Sequence, residues 1–541
     1  MPPLNPRAFL ETHEVTNQPA APGDTDLWQD DSILRHYAEM AGADSPDLAA
    51  YGKIMGQETT RHAGRIANRV LPELQQFDRS GRRIDEVTFH PAYHRLMDIG
   101  LGHGYAARAW EPARGGHATH AAMVYMQNQV EPGTSCPMTM TYAAIPALTA
   151  APEIAADWTP RLMSRVYDPA SRPAAQKAGA TIGMAMTEKQ GGSDVRANST
   201  TATADGDGYR LRGHKWFCSA PMCDAFLTLA QAPEGLTCFL VPRWTPEGDR
   251  NAIQIMRLKD KLGNKANASS EIEYHDAFAW RLGDEGQGVK TIVEMVHHTR
   301  LDTAMAPAGL MRAALAEAHW WVSSRAAFQR RLIDQPLMQS VLADMVLELE
   351  ATTAIGLRIS KAFDGTSDHD RAFARIGVAL AKFLSNKRCP NFIYEAMECL
   401  GGVGYVEESP MPMLYREAPL NSIWEGSGNI ICLDILRTLA RDPLARDALF
   451  AELKSATGSH AHYDRELKAV ETRWPNLPPE AEARWYAERL ATLLQASVLI
   501  RHAPSAISEP FTATRLGGER GQVIGALALD DSRAILSRLD P

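Results

Sequence analysis

The spacing of apolar residues changes twice along this chain, and that change limits the folds open to it. From about residue 28 to 180 apolar positions recur at helical intervals, broken by loops such as EPARGGHATH (111–120) and PASRPAAQ (169–176). From about 181 to 290 the runs shorten and alternate. TTATADGDGYRLRGHKWFCS (200–219) reads as two strands around an Asp-Gly turn, and AFLTLAQ, TCFLVPRW and SSEIEYHDAFAW add further strand-sized runs. After about residue 291 the helical interval returns. Leu342, Met345, Val346 and Leu349 form one core-facing stripe, and Phe373, Ile376, Leu380 and Phe383 form a second. At 541 residues the chain is too long for a single core. The reading is α+β and multidomain: an N-terminal helical domain with an extended arm (1–180), a central β-domain (181–290), a helical bundle (291–440) and a C-terminal helical extension (441–541). RDPLARD and the proline-rich RWPNLPPEAEA set the extension off.

Several function classes are disfavoured at this stage. A formal net charge of −9 argues against nucleic-acid binding by the whole surface, although a local patch stays open. No apolar run is long enough to span a bilayer, and the first residues, MPPLNPRAFLETHEVTNQPAAPGDTD, lack the apolar core of a signal peptide, so the expectation is a cytoplasmic protein. The seven cysteines (Cys136, Cys218, Cys223, Cys238, Cys389, Cys399 and Cys432) are scattered and contain no C-x-x-C pair, as expected of reduced thiols packed as small hydrophobes. The adjacent His297 and His298 would point apart on a helix, and no metal site is expected. The extension carries eleven Arg and two Lys against fourteen acidic residues, so it is nearly neutral; its arginines suit either phosphate recognition or an ordinary helix surface.

The common nucleotide motifs are absent. GLGHGYAA fails the G-x-G-x-x-G spacing because Gly104 comes one residue early, and there is no G-x-x-x-x-G-K-[ST] loop. Two other stretches carry chemistry. GMAMTEKQGGSDV (183–195) gathers hydroxyls, amides and bare backbone into one turn, which either caps local structure or faces a flat polar ring or phosphate oxygens. NSIWEGSGNI (421–430) places a lone acid, Glu425, between a tryptophan and a Gly-Ser-Gly turn; it is either a solvated turn residue or a general base beside a bound cofactor.

Taken in order, MTEKQGGSD, GHKWFCS, LKDKLGNKANASSEIEYHD, GDEGQGV, RAAF, EAMECLGGVGYVEESPMPMLYREAPLNSIWEGSGN and the helix after it resemble the acyl-CoA dehydrogenase flavoprotein family over roughly residues 90–440. THEVTNQP (12–19), TEKQGGSD in place of the usual Thr-Glu-Pro, IWEGSGN and the last hundred residues resemble its AidB branch, associated with the adaptive response to DNA alkylation. The resemblance implies FAD, a homotetramer and a three-domain core with an added helical domain. By position it implies flavin contacts at Met184, Met186, Thr187, Gly192 and Ser193, at Phe217, Cys218 and Ser219, and at Ile423, Trp424, Ser427, Asn429 and Leu433. Phe217 and Ser219 stand where the family has tryptophan and threonine, which keeps an aromatic wall and a hydroxyl. Arg325 and Phe328 match a pair that reaches FAD across a subunit interface, whereas Glu398 and Pro336 stand where the family has glutamine.

Glu425 aligns with the family's catalytic base, which removes the α-proton of an acyl thioester while a hydride leaves the β-carbon for flavin N5. Two readings of function follow. In one, the protein binds double-stranded DNA and limits alkylation damage, with weak or residual dehydrogenase activity; Arg437, Arg515 and Arg520 are the candidate DNA contacts. In the other it is a fully active dehydrogenase of a short or branched acyl-CoA. A non-enzymatic scaffold is a third.

Overall fold

The computed structural model describes residues 6–540. An irregular arm precedes seven helices: α1 (Ser32–Ala41), α2 (Ser45–Met55), α3 (Glu58–Arg69), α4 (Pro91–Gly102), α5 (Gly116–Val130), α6 (Ser135–Leu148) and α7 (Pro152–Leu162). Asp31 starts α1 as an N-cap, accepting from the Leu34 amide at 2.9 Å. Helices α5 and α6 are buried almost all round, so they run through the middle of this domain. Between α3 and α4 lies a hairpin, β1 (Glu73–Phe77) and β2 (Arg83–Thr88), in a stretch read from the sequence as helices and loops. β1 alternates exposed with half-buried residues and β2 is mostly half-buried, over only five and six positions, too short a run to stand out among helices.

Strands β3 (Ile182–Ala185), β4 (Thr201–Asp205), β5 (Gly208–Ser219), β6 (Ala225–Ala232), β7 (Gly235–Pro242), β8 (Ile253–Leu258) and β9 (Ser269–Leu282) make one seven-stranded sheet. Asp205 pairs with Gly208 across the expected turn, and Gly206 takes the positive φ such a turn needs. Pairings β4–β5, β5–β9, β9–β7, β7–β6 and β6–β4 close a ring, while β3 bridges β6 and β5. Closure leaves β8 as an edge, and the β1–β2 hairpin covers it: Gln76 Nε2 and Arg83 Nη2 donate to the Ile255 carbonyl at 2.9 and 3.0 Å, and the Ile255 amide donates to Asp85 at 3.2 Å.

The bundle holds α8 (Gly288–Ser324), α9 (Pro336–Phe363), α10 (Asp368–Cys399), α11 (Met411–Glu417) and α12 (Gly428–Arg441). Both predicted stripes are buried on α9 and α10. A small hairpin, β10 (Ala326–Ala327) with β11 (Arg330–Arg331), follows α8 and lifts Phe328, 93% exposed, clear of the surface. The N-terminal arm grips the base of that hairpin. Asn17 donates to the Ala326 carbonyl at 2.9 Å and accepts from its amide at 2.7 Å, while Arg325 donates to the Asn17 carbonyl at 2.8 Å.

Helices α13 (Pro443–Lys454), α14 (Ala461–Arg473), α15 (Ala483–His502), α16 (Ser505–Leu516) and α17 (Ser532–Leu536) form the extension. Buried charge ties it to the bundle. Asp344 of α9 receives the Arg515 guanidinium, Arg520 Nη2 at 3.1 Å and the Gly525 amide at 2.9 Å. Glu350, two turns along, receives Arg538 at 2.6 Å and the Tyr37 hydroxyl at 2.8 Å, which fastens the chain end to α1. These contacts correct the sequence reading of Arg515 and Arg520 as DNA contacts. The Arg515 side chain is 2% exposed, and both charges are committed to a buried carboxylate rather than presented to a phosphate. No helix among the described residues is long and apolar enough to cross a membrane, and all seven cysteines are buried and unpaired.

If Asp344 anchors the extension, Asp344→Ala strands Arg515 without its main partner. Hydrogen exchange across α16 should then accelerate by at least about tenfold while the β6 and β7 amides keep their protection.

Candidate functional site

The first wall of the site is made by a fault in the barrel. Lys215 pairs with Ile272 but Cys218 pairs with Ser270, so β5 carries one residue more than β9 across this stretch. Such a bulge re-aims side chains. Phe217 emerges 46% exposed, while Cys218 stays buried with its thiol pushed far up by burial. Ser219, half-buried, faces Met184 across the β3–β5 pairing. The Trp216 amide donates to the Thr187 carbonyl at 2.8 Å, which brings the 184–193 turn alongside the bulge. Gly192 folds back on Thr187 so closely that a Cβ there would strike its hydroxyl. Met186 is half-buried, with its carbonyl accepting from Asn198 at 3.0 Å, and Ser193 is exposed.

Under this turn sits a fully buried ion pair, Lys215 Nζ to Glu188 Oε1 at 2.8 Å. Glu188 also accepts from the Ser199 amide and hydroxyl, from Gln190 and from the Thr200 amide. Burial alone would raise its pKa, but Lys215 and these donors outweigh that and hold it well below the usual carboxylate range. Burial pulls Lys215 down to about 8, against the pull of Glu188. With Lys215 also donating to the Leu229 carbonyl of β6 at 2.7 Å, the pair fixes the turn to the barrel.

The second wall is the loop after α11. Trp424 is half-buried, with Nε1 donating to Asn421 Oδ1 at 2.7 Å, and Ile423 is 64% exposed. Glu425 and Gly426 both take positive φ, +56° and +101°. Glutamate pays for that conformation in strain, and strain of this kind persists only where surrounding contacts enforce it. Here Arg300 of α8 enforces it: Nε donates to the Glu425 carbonyl at 3.1 Å, and Nη1 binds Asp434 of α12 at 2.7 Å. Arg375 of α10 holds the other oxygen of Asp434 at 2.7 Å.

Glu425 is half-buried as a residue, but its Oε2 is closed off from solvent and has no hydrogen-bond partner. Burial raises its pKa above the ordinary glutamate value; the Thr299 hydroxyl, Lys382 and Arg300 pull the other way. Cys136, at the start of α6, is influenced from both walls. Burial pushes its thiol up to about 12, and the groups that perturb it further include both Glu425 and the Ser219 hydroxyl.

Below the loop, α12 starts at Gly428 with no side-chain cap on its first amides. A Cβ on Gly428 would lie 3.1 Å from Lys387 Nζ and 3.4 Å from Arg484 Nη1, so two cations flank the helix start. Arg484, from the extension, donates to Asn429 Oδ1 at 2.9 Å, and Lys387 donates to Ser422 at 2.7 Å. Ser427 and Asn429 are exposed, and Leu433 is half-buried one turn on. This donor set suits a phosphate group, and the exposed Phe217 and Ile423 offer apolar faces for a flat ring. Arg437 lies further along α12, exposed, with Arg441 four residues on.

The structure therefore joins the 184–193 turn to the β5 bulge, sets Ser219 of the bulge and Glu425 of the 423–433 segment both to act on Cys136, and commits Arg515 and Arg520 to Asp344 instead. Sequence reasoning missed Thr299, Arg300, Lys382, Lys387 and Arg484. One of them left a trace: Lys382 is a lone cation inside the apolar run VALAKFL. His297 and His298 are engaged in packing, one stacked on Phe363 at 4.5 Å and the other bonded through Nδ1 to the Glu294 carbonyl at 2.8 Å.

Comparison with known proteins gives an independent view. The model of the adaptive response protein AidB N-terminal domain matches residues 17–169, that of the acyl-CoA dehydrogenase middle domain matches 183–277, and that of the acyl-CoA dehydrogenase C-terminal domain matches 286–440. The AidB protein of Escherichia coli (strain K12) is 43% identical over 94% of this chain and 96% of its own length. Acyl-CoA dehydrogenase family member 11 of Caenorhabditis elegans is 31% identical over 84% of this chain and 80% of its own. The crystal structure of C. elegans ACDH-11 in complex with C11-CoA superposes with a TM-score of 0.82 at 26% identity, covering 97% of this chain and 93% of that one.

Lys215→Met leaves Glu188 buried without its cation. The expected cost is about 3–5 kcal/mol in chemical unfolding, with Lys215→Met/Glu188→Leu recovering a large part of it.

Proposed function

The chain belongs to the acyl-CoA dehydrogenase family, in its AidB branch, as an FAD-dependent oxidoreductase, and we propose that Glu425 is the base that takes the α-proton of an acyl thioester beside the flavin. One observation carries this reading: a strained loop holds a desolvated carboxylate whose Oε2 has nothing to bind. A buried acceptor left open costs free energy in the resting protein, and a substrate C–H placed against it gives that cost a use. Desolvation also makes the carboxylate a stronger base, so it holds the proton it takes.

The residues present fit FAD. Met184, Met186, Thr187, Gly192 and Ser193 with Phe217, Ser219 and the backbone of Cys218 would line one side of the ring system. Ile423, Trp424 and Leu433 would line the other, with Ser427 and Asn429 at the phosphate end. FAD, when bound, supplies the two-electron acceptor for the β-carbon. Glu425 holds the α-proton at its carboxylate, and Arg300 keeps the loop in place through the exchange. Phe328 and Leu337, both largely exposed, suit the subunit contact of a homotetramer. The C11-CoA of the C. elegans structure makes an acyl-CoA of similar chain length the first substrate to try.

The AidB likeness supports a second part to the role: binding of double-stranded DNA and protection from alkylation, with dehydrogenase turnover weak. The observation that favours it is the exposed Arg437–Arg441 pair, four residues apart on one helix, where Arg515 and Arg520 are locked away.

Anaerobic titration of the flavoprotein with acyl-CoA thioesters should bleach the flavin absorbance, and Glu425→Gln should slow bleaching by about 10²–10⁴-fold. Bleaching at an unchanged rate in Glu425→Gln would remove Glu425 from the reaction. For DNA, Arg437→Ala/Arg441→Ala should weaken duplex binding at low salt and reduce the slope of log K against log salt by about 1–2; an unchanged slope would place the contact elsewhere.

A further inference from the structure

Lys382 is a buried cation that the proposed chemistry has not used. It lies on α10 between Leu380 and Phe383 of the core stripe, 1% exposed, where an ammonium is costly to keep. Among the described residues no carboxylate forms an ion pair with it. Its Nζ donates instead to the Asn421 carbonyl at 3.0 Å and the Gly426 carbonyl at 2.8 Å. Those two carbonyls bracket Glu425, one four residues before it and one immediately after. Two of the three ammonium protons are thereby assigned, and Glu425 is the carboxylate that favours its charge, against burial, Arg300 and Lys387.

We propose that Lys382 is the positioning residue for Glu425: it clamps both ends of the strained loop and, while charged, keeps the carboxylate ionised until substrate arrives. The inference rests on Glu425 being the base. An ammonium held on two carbonyls fixes the loop's path without sitting at the reacting carbon, and its charge favours the carboxylate form.

The surroundings show why Lys382 rather than a neighbour has this role. Arg300 from α8 and Arg375 from α10 share Asp434 of α12. Lys387, one turn along α10, turns outward to Ser422. Thr299 of α8 faces Glu425 with a hydroxyl, Cys136 of α6 is a thiol held neutral by burial, and burial keeps the His297 imidazole neutral as well. Burial brings Lys382 down to about 7, with Glu425 working against the shift. Its charge is therefore present in mildly acidic solution and lost as pH rises through neutrality.

The test is the pH profile of flavin bleaching by a saturating acyl-CoA, measured anaerobically on the holoprotein by stopped flow. The expected wild-type profile is a bell: the rate rises as Glu425 ionises and falls as Lys382 loses its proton, and with it the charge that strengthens its grip on the two carbonyls. Lys382→Arg keeps the charge and should erase the alkaline limb while retaining the acid one. Lys382→Met should move the acid limb to higher pH and slow the reaction by about 100-fold, with flavin content and melting temperature reporting whether the fold is kept. A wild-type profile with no alkaline limb, or the same alkaline limb in Lys382→Arg, would overturn the proposal even if Lys382→Met does not fold. Glu425→Gln separates the two ideas. If it abolishes bleaching while the Lys382 variants leave the profile unchanged, the base stands and the positioning role falls; if it bleaches normally, the base itself falls.

Discussion

One guanidinium holds the site together. Arg300 donates to the Glu425 carbonyl and to Asp434, so the loop that bears the acid and the helix that follows it are fixed to α8 by the same side chain. It is the group that grips the Glu425 carbonyl itself, and so helps hold a glutamate in a left-handed backbone that costs of order 1–3 kcal/mol. Asp434 in turn gives its second oxygen to Arg375, so two guanidinium groups share it. The carboxylate is left desolvated, near cations but bonded to none of them through Oε2. Such a group is poised to accept a proton rather than locked in a salt bridge.

The opposite wall has a different physical character. Glu188 and Lys215 form a buried pair in which both Glu188 oxygens are engaged and Lys215 also donates to the Leu229 carbonyl, and the bulge above it is set by strand register. That wall is rigid because its polar groups are satisfied, whereas the Glu425 loop is held under strain with one acceptor open. Catalytic sites often combine these two states, a stiff surface for the cofactor and a strained group for the chemistry. The extension adds a third element. Through Asp344 and Glu350 it is bound into the bundle by buried charge, and through Arg484 it reaches Asn429 at the start of α12. It is thus part of the site's surroundings rather than a loosely tethered appendage.

The helix–sheet–helix order was legible because apolar spacing reports it directly, and the stripes on α9 and α10 are buried as their intervals require. The hairpin at Glu73–Thr88 was not, since two short half-exposed strands leave no apolar signal. Glu425 and the 184–193 turn stand out in the sequence only through motif order. The groups that give them their properties were not, because Arg300, Lys382 and Glu425 lie far apart in sequence and meet only in the fold. Arg515 and Arg520 show the reverse error. An arginine-rich segment looks the same in sequence whether its charges face solvent or a carboxylate such as Asp344, 171 residues away from Arg515.

The central claim is that Glu425 removes an α-proton, and exchange at that carbon tests it without relying on flavin reduction. The holoprotein would be incubated anaerobically in H2O with an acyl-CoA deuterated at the α-carbon, and the loss of label followed by NMR. The account predicts loss from the α-carbon alone, stopped in Glu425→Gln. Label retained by the wild-type protein while the flavin is reduced, or exchange that persists in Glu425→Gln, would contradict it.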